Sequence, residues 1–512
     1  MENIVIDGEN LTIDQVWKIA NKQATVSIAE SAIEKIKKAR EFVIQAADAG
    51  KVIYGLTTGF GAFKDTHIPK EKSAELSRNI ILSHSVSVGT PFPEDVVRAA
   101  MLVRLNSVIK GYSGVTLATV QTFADFLNKN ICPYVPQQGS VGASGDLSPL
   151  CHIVSAMIGA GEMIIDGKRV HGAEGLIHYG LSPLVLEAKE GLALSNGTSV
   201  LTGQAALNIV RAEEILKYAD ISTALSLQAF TGTINPFFEK IQAIRPHPGQ
   251  IATAKNIRQL CEGSELVDRE PYYRLVQDSY ALRCVPQVHG AVRDAFDYAK
   301  RVVEIEINSA TDNPLIFVED GFSLSGGNFH GEPIGIAMNT LAIGIAEIAS
   351  ISERRTAKMV DKNTNHGLPA FLIDPQLGGL NSGLMIPQYT AAALVSENKI
   401  LAHPSSVDSI PTSANQEDHV SMASIGSRHA ARIIENTRRV LAIEMLSAAQ
   451  GLEFRDHSKL SPACQIAYQA IRSVSPAIGQ DRELYRDIHA IDQLLASNDL
   501  LKAVEGVSGQ LA

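Results

Sequence analysis

Residues 142–146 read Gly142-Ala143-Ser144-Gly145-Asp146, and their types permit a backbone cyclisation. The amide nitrogen of Gly145 can attack the carbonyl carbon of Ala143. Loss of two waters, one of them from the Ser144 side chain, leaves a 4-methylidene-imidazole-5-one ring (MIO) with an exposed electrophilic methylene. Ser144 supplies the hydroxyl that leaves, and Gly145 has no side chain to hinder its own nitrogen. Gly142 and Gly145 allow the backbone angles that so close an approach requires. Ala-Ser-Gly alone decides little, because about one chain in five of this length contains it by chance at average composition. The competing reading is a flexible surface turn. Tyr54 is a second candidate, in a stretch where Gly55, Gly59 and Gly61 can act as hinges. A phenol with an ordinary pKa near about 10 must be lowered or partnered to serve as a base; otherwise Tyr54 is a packing residue in a glycine turn. Tyr280 and Arg283 share a face if their stretch is helical, and a guanidinium grips two carboxylate oxygens at once. A lone YxxR is also an ordinary surface or core pair.

The elements that must position these groups read as mainly helical. Over Ser31–Ala49, Ile33, Ile36, Phe42, Val43 and Ala46 fall near one stripe, and Gly50 ends the run. Leu341–Val360, Thr390–Leu401 and Ala430–Leu452 are rich in Ala, Ile and Leu with few breakers, as long helices packed closely in a bundle should be. Strand-like runs are short, Val302–Ile307 and Gly161–Val170 among them. At 512 residues more than one compact core is expected. No linker or repeat marks a boundary, and one is placed near residue 200: 1–200 as a smaller mixed N-terminal domain bearing the tripeptide, 201–512 as a long-helix bundle. The formal charge of −10 argues against nucleic acid or an anionic membrane as partner. No apolar run approaches the roughly 20 residues that span a bilayer, and the N-terminus MENIVIDGEN lacks a secretory pattern. Five dispersed cysteines without a CxxC pair suggest reduced thiols in the cytoplasm. The 14 histidines show no HxxxH or other ligand spacing, so no metal is expected.

The surroundings of the tripeptide carry more. YVPQQGSVGASGDLSPL at Tyr134–Leu150 resembles the cofactor-forming segment of the aromatic amino acid ammonia-lyases and aminomutases. YGLTTGFGAF at Tyr54–Phe63 resembles the mobile active-site loop of that family, and EGLALSNGT at Glu190–Thr198 the helix start facing its cofactor. QDSYALRCVPQ at Gln277–Gln287, GGNFHGE at Gly326–Glu332 and HPSSVDSIPTSANQEDHVSM at His403–Met422 match further family blocks. The resemblance implies a homotetramer of long helices in which three chains build each active site, and MIO formed from Ala143, Ser144 and Gly145. It implies elimination of ammonia from an α-amino acid, the electrophile making nitrogen a better leaving group. Tyr54 then removes the β-proton, Tyr280 helps to position the reacting groups, and Arg283 anchors the substrate carboxylate. Gln277 belongs to the same substrate-binding block. Asn196 donates to the ring carbonyl, and Phe329 packs beside the ring.

Substrate choice turns on Ser83-His84 and Glu417. Histidine-selective members carry Ser-His at the first position, and the last block resembles theirs in particular. His84 can hydrogen-bond an imidazole and Glu417 can oppose it, whereas a phenyl ring would leave Glu417 desolvated and unpaired. L-histidine is therefore the expected substrate and trans-urocanate the product. Ser199, Val285 and Pro387-Gln388-Tyr389 depart from the histidine pattern, so a tyrosine ammonia-lyase or a 2,3-aminomutase stays open. A catalytically inactive helical scaffold is the reading from outside enzymology.

Overall fold

The computed structural model describes residues 1–270 and 276–512, and 59% of it is helical with few strands. The expected helices form at Glu30–Asp48, Glu332–Val360, Met385–Leu401 and Ala423–Leu452. Gly161–Val170 forms the hairpin Glu162–Ile165 with Lys168–His171, in register from Glu162↔His171 to Ile165↔Lys168. Val302–Ile307 is no strand: it ends the helix Val285–Glu306. Val303 and Ile307 are buried while Ile305 is exposed, so burial recurs at a spacing of four, the helical one.

Two compact units result. The first comprises Met1–Val210, Ala299–Asn339 and Pro404–Arg428; the second comprises Arg211–Tyr298, Thr340–His403 and His429–Ala512. The first transition falls between Val210 and Arg211. The chain then returns twice to the first unit, because long helices such as Ser199–Phe230 and Ala423–Leu452 begin in one unit and end in the other. A single cut in sequence cannot represent that path.

In the first unit, helix Glu94–Val108 is buried continuously from Val96 to Val108, as a helix enclosed on all sides must be. It carries Arg98, whose guanidinium donates to the carbonyls of Ile19, Ala20 and Leu127. These are the last-turn carbonyls of helices Ile13–Ala20 and Leu117–Asn128, groups that lack partners within their own helices. The second unit packs Ala349, Ala391, Val440 and Ile443 into one cluster. Among the described residues one helix, Glu332–Val360, is long and apolar enough to cross a membrane by length and composition. That corrects the reading that no apolar stretch reaches such a length. Of its most apolar window 67% is buried inside the protein, as in a core helix.

Candidate active site

The tripeptide is tied down on both flanks. Upstream, the Gly142 carbonyl accepts from the Gly331 N–H at 3.1 Å and from Ser421 Oγ at 3.0 Å, and Ala143 packs against Val420 and Met422. Downstream, Gly145 lies against Gly197 in a parallel bridge. Its φ is +66°, and a Cβ there would overlap the Gly197 carbonyl, so position 145 admits only glycine on both counts. Asp146, fully buried, accepts from the Val200 and Leu201 N–H groups at 3.0 and 2.8 Å. These belong to the first turn of helix Ser199–Phe230, whose unpaired N–H groups and dipole favour a carboxylate. Ser140 and Ser424 donate to its other oxygen at 3.0 and 2.9 Å. Burial still holds the Asp146 carboxyl above the usual range.

Ser144 Oγ donates to Glu417 Oε1 at 2.6 Å, and Thr412 Oγ1 donates to Glu417 Oε2 at 2.7 Å. A turn closed by paired backbone bonds between Thr412 and Glu417 presents that carboxylate. Inside the turn Ser413, Ala414 and Asn415 stand at φ +52°, +53° and +65°, three successive side chains in the left-handed region. Such strain costs about 1–3 kcal/mol per residue and concentrates where function needs it. Asn196 caps the short helix Glu190–Ser195, whose start Glu190 secures by accepting from Thr116, Thr119 and Glu187. Asn196 is buried, and its amide oxygen has no hydrogen-bond partner among the described residues.

His84 ends helix Ser73–His84, with Ser83 Oγ 2.9 Å from its Nδ1. Burial holds the imidazole below its ordinary range, against the opposing pull of the Ile80 backbone and the Glu417 charge. Tyr54 Oη accepts from the Gly61 N–H at 3.0 Å, and Phe60 meets its ring edge-on. Two adjoining cavities of about 760 and 620 Å³ share Tyr54, Ser144, Asn196 and Glu417 in their walls. The larger adds Ser83 and His84, the smaller Ala143, Phe329, His330 and His419. The first unit thus brings together Tyr54, Ser83, His84, Ala143, Ser144, Asn196, Phe329 and Glu417. Gly145 lies behind the wall, against Gly197.

The remaining expected residues form a cluster in the second unit. Gln277 and Arg283 line a cavity of about 410 Å³ with Thr233 and Asp278. Tyr280 and Arg283 occupy one short helix, Tyr280–Arg283, and the guanidinium lies 4.6 Å from the centre of the tyrosine ring. Among the described residues Arg283 Nε is buried without a hydrogen-bond partner, while Tyr280 is 70% exposed.

Several groups here were not anticipated. Asp146 directly follows the tripeptide, so its position alone could have flagged it. Gly197, Thr412 and Ser421 act through backbone or hydroxyl contacts that only the folded chain makes. His330, Glu332 and His419 also converge although no ligand spacing joins them in sequence.

Residues 11–473 match the model of the aromatic amino acid lyase family. The chain belongs to this family. It is similar to a histidine ammonia-lyase of Caldanaerobacter subterraneus subsp. tengcongensis, 52% identical over 497 residues that cover 97% of each chain. Among solved structures it is similar to tyrosine aminomutase from Streptomyces globisporus, at 38% identity and a TM-score of 0.95 with both chains covered completely. Histidine ammonia-lyase from Trypanosoma cruzi is also 38% identical, with a TM-score of 0.91 over 99% of this chain and 95% of that one. Backbone likeness therefore does not separate imidazole from phenol substrates, and side chains in the cavity must.

Proposed function

We propose that the chain eliminates ammonia from L-histidine to give trans-urocanate, with MIO formed from Ala143, Ser144 and Gly145. The observation that carries the substrate is Glu417, a carboxylate in the same cavity wall as His84 and Ser144. The residues present fit the cofactor. Glycine is compulsory at 145, both flanks are anchored, and Asn196 in the same wall has an amide N–H to donate to the ring carbonyl.

When formed, MIO supplies an electrophilic methylene that makes the substrate amine a better leaving group. The chain's own residues bind and move protons. Cyclisation removes the Ser144 hydroxyl as water, so Glu417 Oε1 loses the donor it now has and is free to accept from an imidazole N–H. A phenyl ring offers no donor and leaves a desolvated oxygen, a penalty of about 1–3 kcal/mol. His84, kept neutral by burial, has one nitrogen facing Ser83 and the other available to the substrate ring. Tyr54 Oη takes the β-proton while the Gly61 N–H steadies charge on that oxygen. The Cα–N bond breaks as the Cα=Cβ bond forms.

Arg283, with Gln277 and Tyr280, binds the substrate carboxylate. Tyr280 is largely exposed and Arg283 Nε has no hydrogen-bond partner among the described residues, which supports a homotetramer in which these residues complete the site of a neighbouring subunit. A cytoplasmic location, with neither nucleic acid nor membrane as partner, accords with five unpaired cysteines and the net charge of −10. The test is to offer purified protein L-histidine, L-tyrosine and L-phenylalanine separately, following free ammonia and product absorbance. Ammonia with a urocanate spectrum from histidine alone is expected. Amino acid consumed without ammonia means an aminomutase, and activity on tyrosine but not histidine overturns the substrate.

A further inference from the structure

His330, Glu332 and His419 each offer a ligand atom, and these atoms lie within 4.8 Å of one another. We propose that they bind a zinc-class divalent cation, which ties the segment around Gly331 to the segment around Ser421. Two imidazoles and one carboxylate are a donor set suited to such cations, with water in the remaining position. Among the described residues Oε2 of Glu332 is buried without a hydrogen-bond partner. A carboxylate oxygen held that way is unfavourable, and a cation satisfies it. Glu332 opens the helix Glu332–Val360, whose dipole favours an acid there. The dipole does not account for two imidazoles converging on the same carboxylate.

The present contacts of His330 leave a nitrogen to give. Its Nε2 is 3.1 Å from the His419 carbonyl, and its Nδ1 faces the Glu332 N–H across a longer 3.4 Å. Nε2 therefore carries the proton and Nδ1 the lone pair, with the weaker contact to surrender. Ligands about 2.0–2.1 Å from a tetrahedral zinc stand about 3.3 Å apart, so the three must draw closer. The ring of His419, on an exposed residue, is free to turn inward.

The location suggests what the cation does. The Gly331 N–H and Ser421 Oγ are the two donors to the Gly142 carbonyl. His330 and Glu332 flank the first donor, and His419 lies two residues before the second. A cation held by all three braces both donors on the segment that precedes the tripeptide. It would also sit in the wall of the smaller cavity, which His330 and His419 line.

Purified full-length protein, stripped with a chelator, is titrated with Zn²⁺ alone against a chromophoric competitor. Saturable uptake of one equivalent per chain is expected, together with a rise in thermal midpoint. His419→Ala and Glu332→Gln should each weaken uptake by more than about tenfold, since even outer partners of metal ligands are worth about 10–100-fold. His419→Ala keeps the backbone carbonyl that His330 bonds, and circular dichroism checks its fold. Cys284→Ser, at the least buried thiol, should leave uptake unchanged. Equal uptake by the wild type and both ligand variants overturns the site, as does the absence of saturable uptake or its loss in Cys284→Ser.

Discussion

Glu417 and Glu444 are both held by hydroxyl groups, and the contrast between them separates site from scaffold. Glu444 is fully buried in the second unit and accepts from Ser226, Ser352 and both Nε and Nη2 of Arg355, at 2.6–2.9 Å. Burial alone would raise its carboxyl, but Arg355 outweighs that and holds it below the usual carboxylate range. Every strong acceptor position is taken, so nothing remains for a ligand. Glu417 is half-buried beside a cavity, on a strained turn, and Ser144 and Thr412 donate to its carboxylate as neutral hydroxyls. One of these is the hydroxyl that cyclisation would remove. A carboxylate saturated by a guanidinium stabilises a core; one whose donor is expendable can be handed to a substrate.

That contrast can be broken at graded points. Ser144→Ala should abolish turnover while the protein stays folded, because it removes the hydroxyl lost in forming the methylene. Peptide mass around residue 144 should show two waters lost in the wild type and none in the variant. Normal activity in the variant would dispose of the cofactor. Tyr54→Phe comes next, with kcat lowered by about 10²–10⁴, the usual worth of a positioned acid–base group, and KM little changed. A defect confined to KM would hand the proton to another residue. Glu444→Ala should leave Arg355 buried without its partner and destabilise by about 3–5 kcal/mol, read by denaturant unfolding. A loss under about 1 kcal/mol would mean Glu444 is no scaffold residue.

The smallest effect concerns pH. His84 titrates below the ordinary histidine range when folded, so the unfolded chain binds more protons between the folded and unfolded values. Stability therefore rises with pH across that window, and protonation of His84 destabilises the fold as pH falls through it. His84→Gln should flatten stability over that window and remove an acid-side fall in kcat/KM. An unchanged profile would place the titration elsewhere.

Much of this was legible before folding, for local reasons. Ala143-Ser144-Gly145 stands out by residue type, and Tyr54 with its glycines, Ser83-His84 and Glu417 become candidates through the resemblance of the short motifs that hold them to the family. Runs of Ala, Ile and Leu announce the long helices. Val302–Ile307 misled because its β-branched residues invite a strand, while burial at Val303 and Ile307 follows the helical period. The clamp on Gly142 and the grouping of His330, Glu332 and His419 join segments about 90 to 280 residues apart, and no local pattern encodes such a meeting.

The most direct measurement is the ratio of kcat/KM for L-histidine over L-phenylalanine in the wild type and in Glu417→Gln. A hydrogen bond to a charged group is worth about 1.5–3 kcal/mol, so the ratio should fall by at least about tenfold, with unfolding free energy nearly unchanged. An unaltered ratio would contradict the pairing of Glu417 with the imidazole and remove the side-chain basis for the histidine assignment.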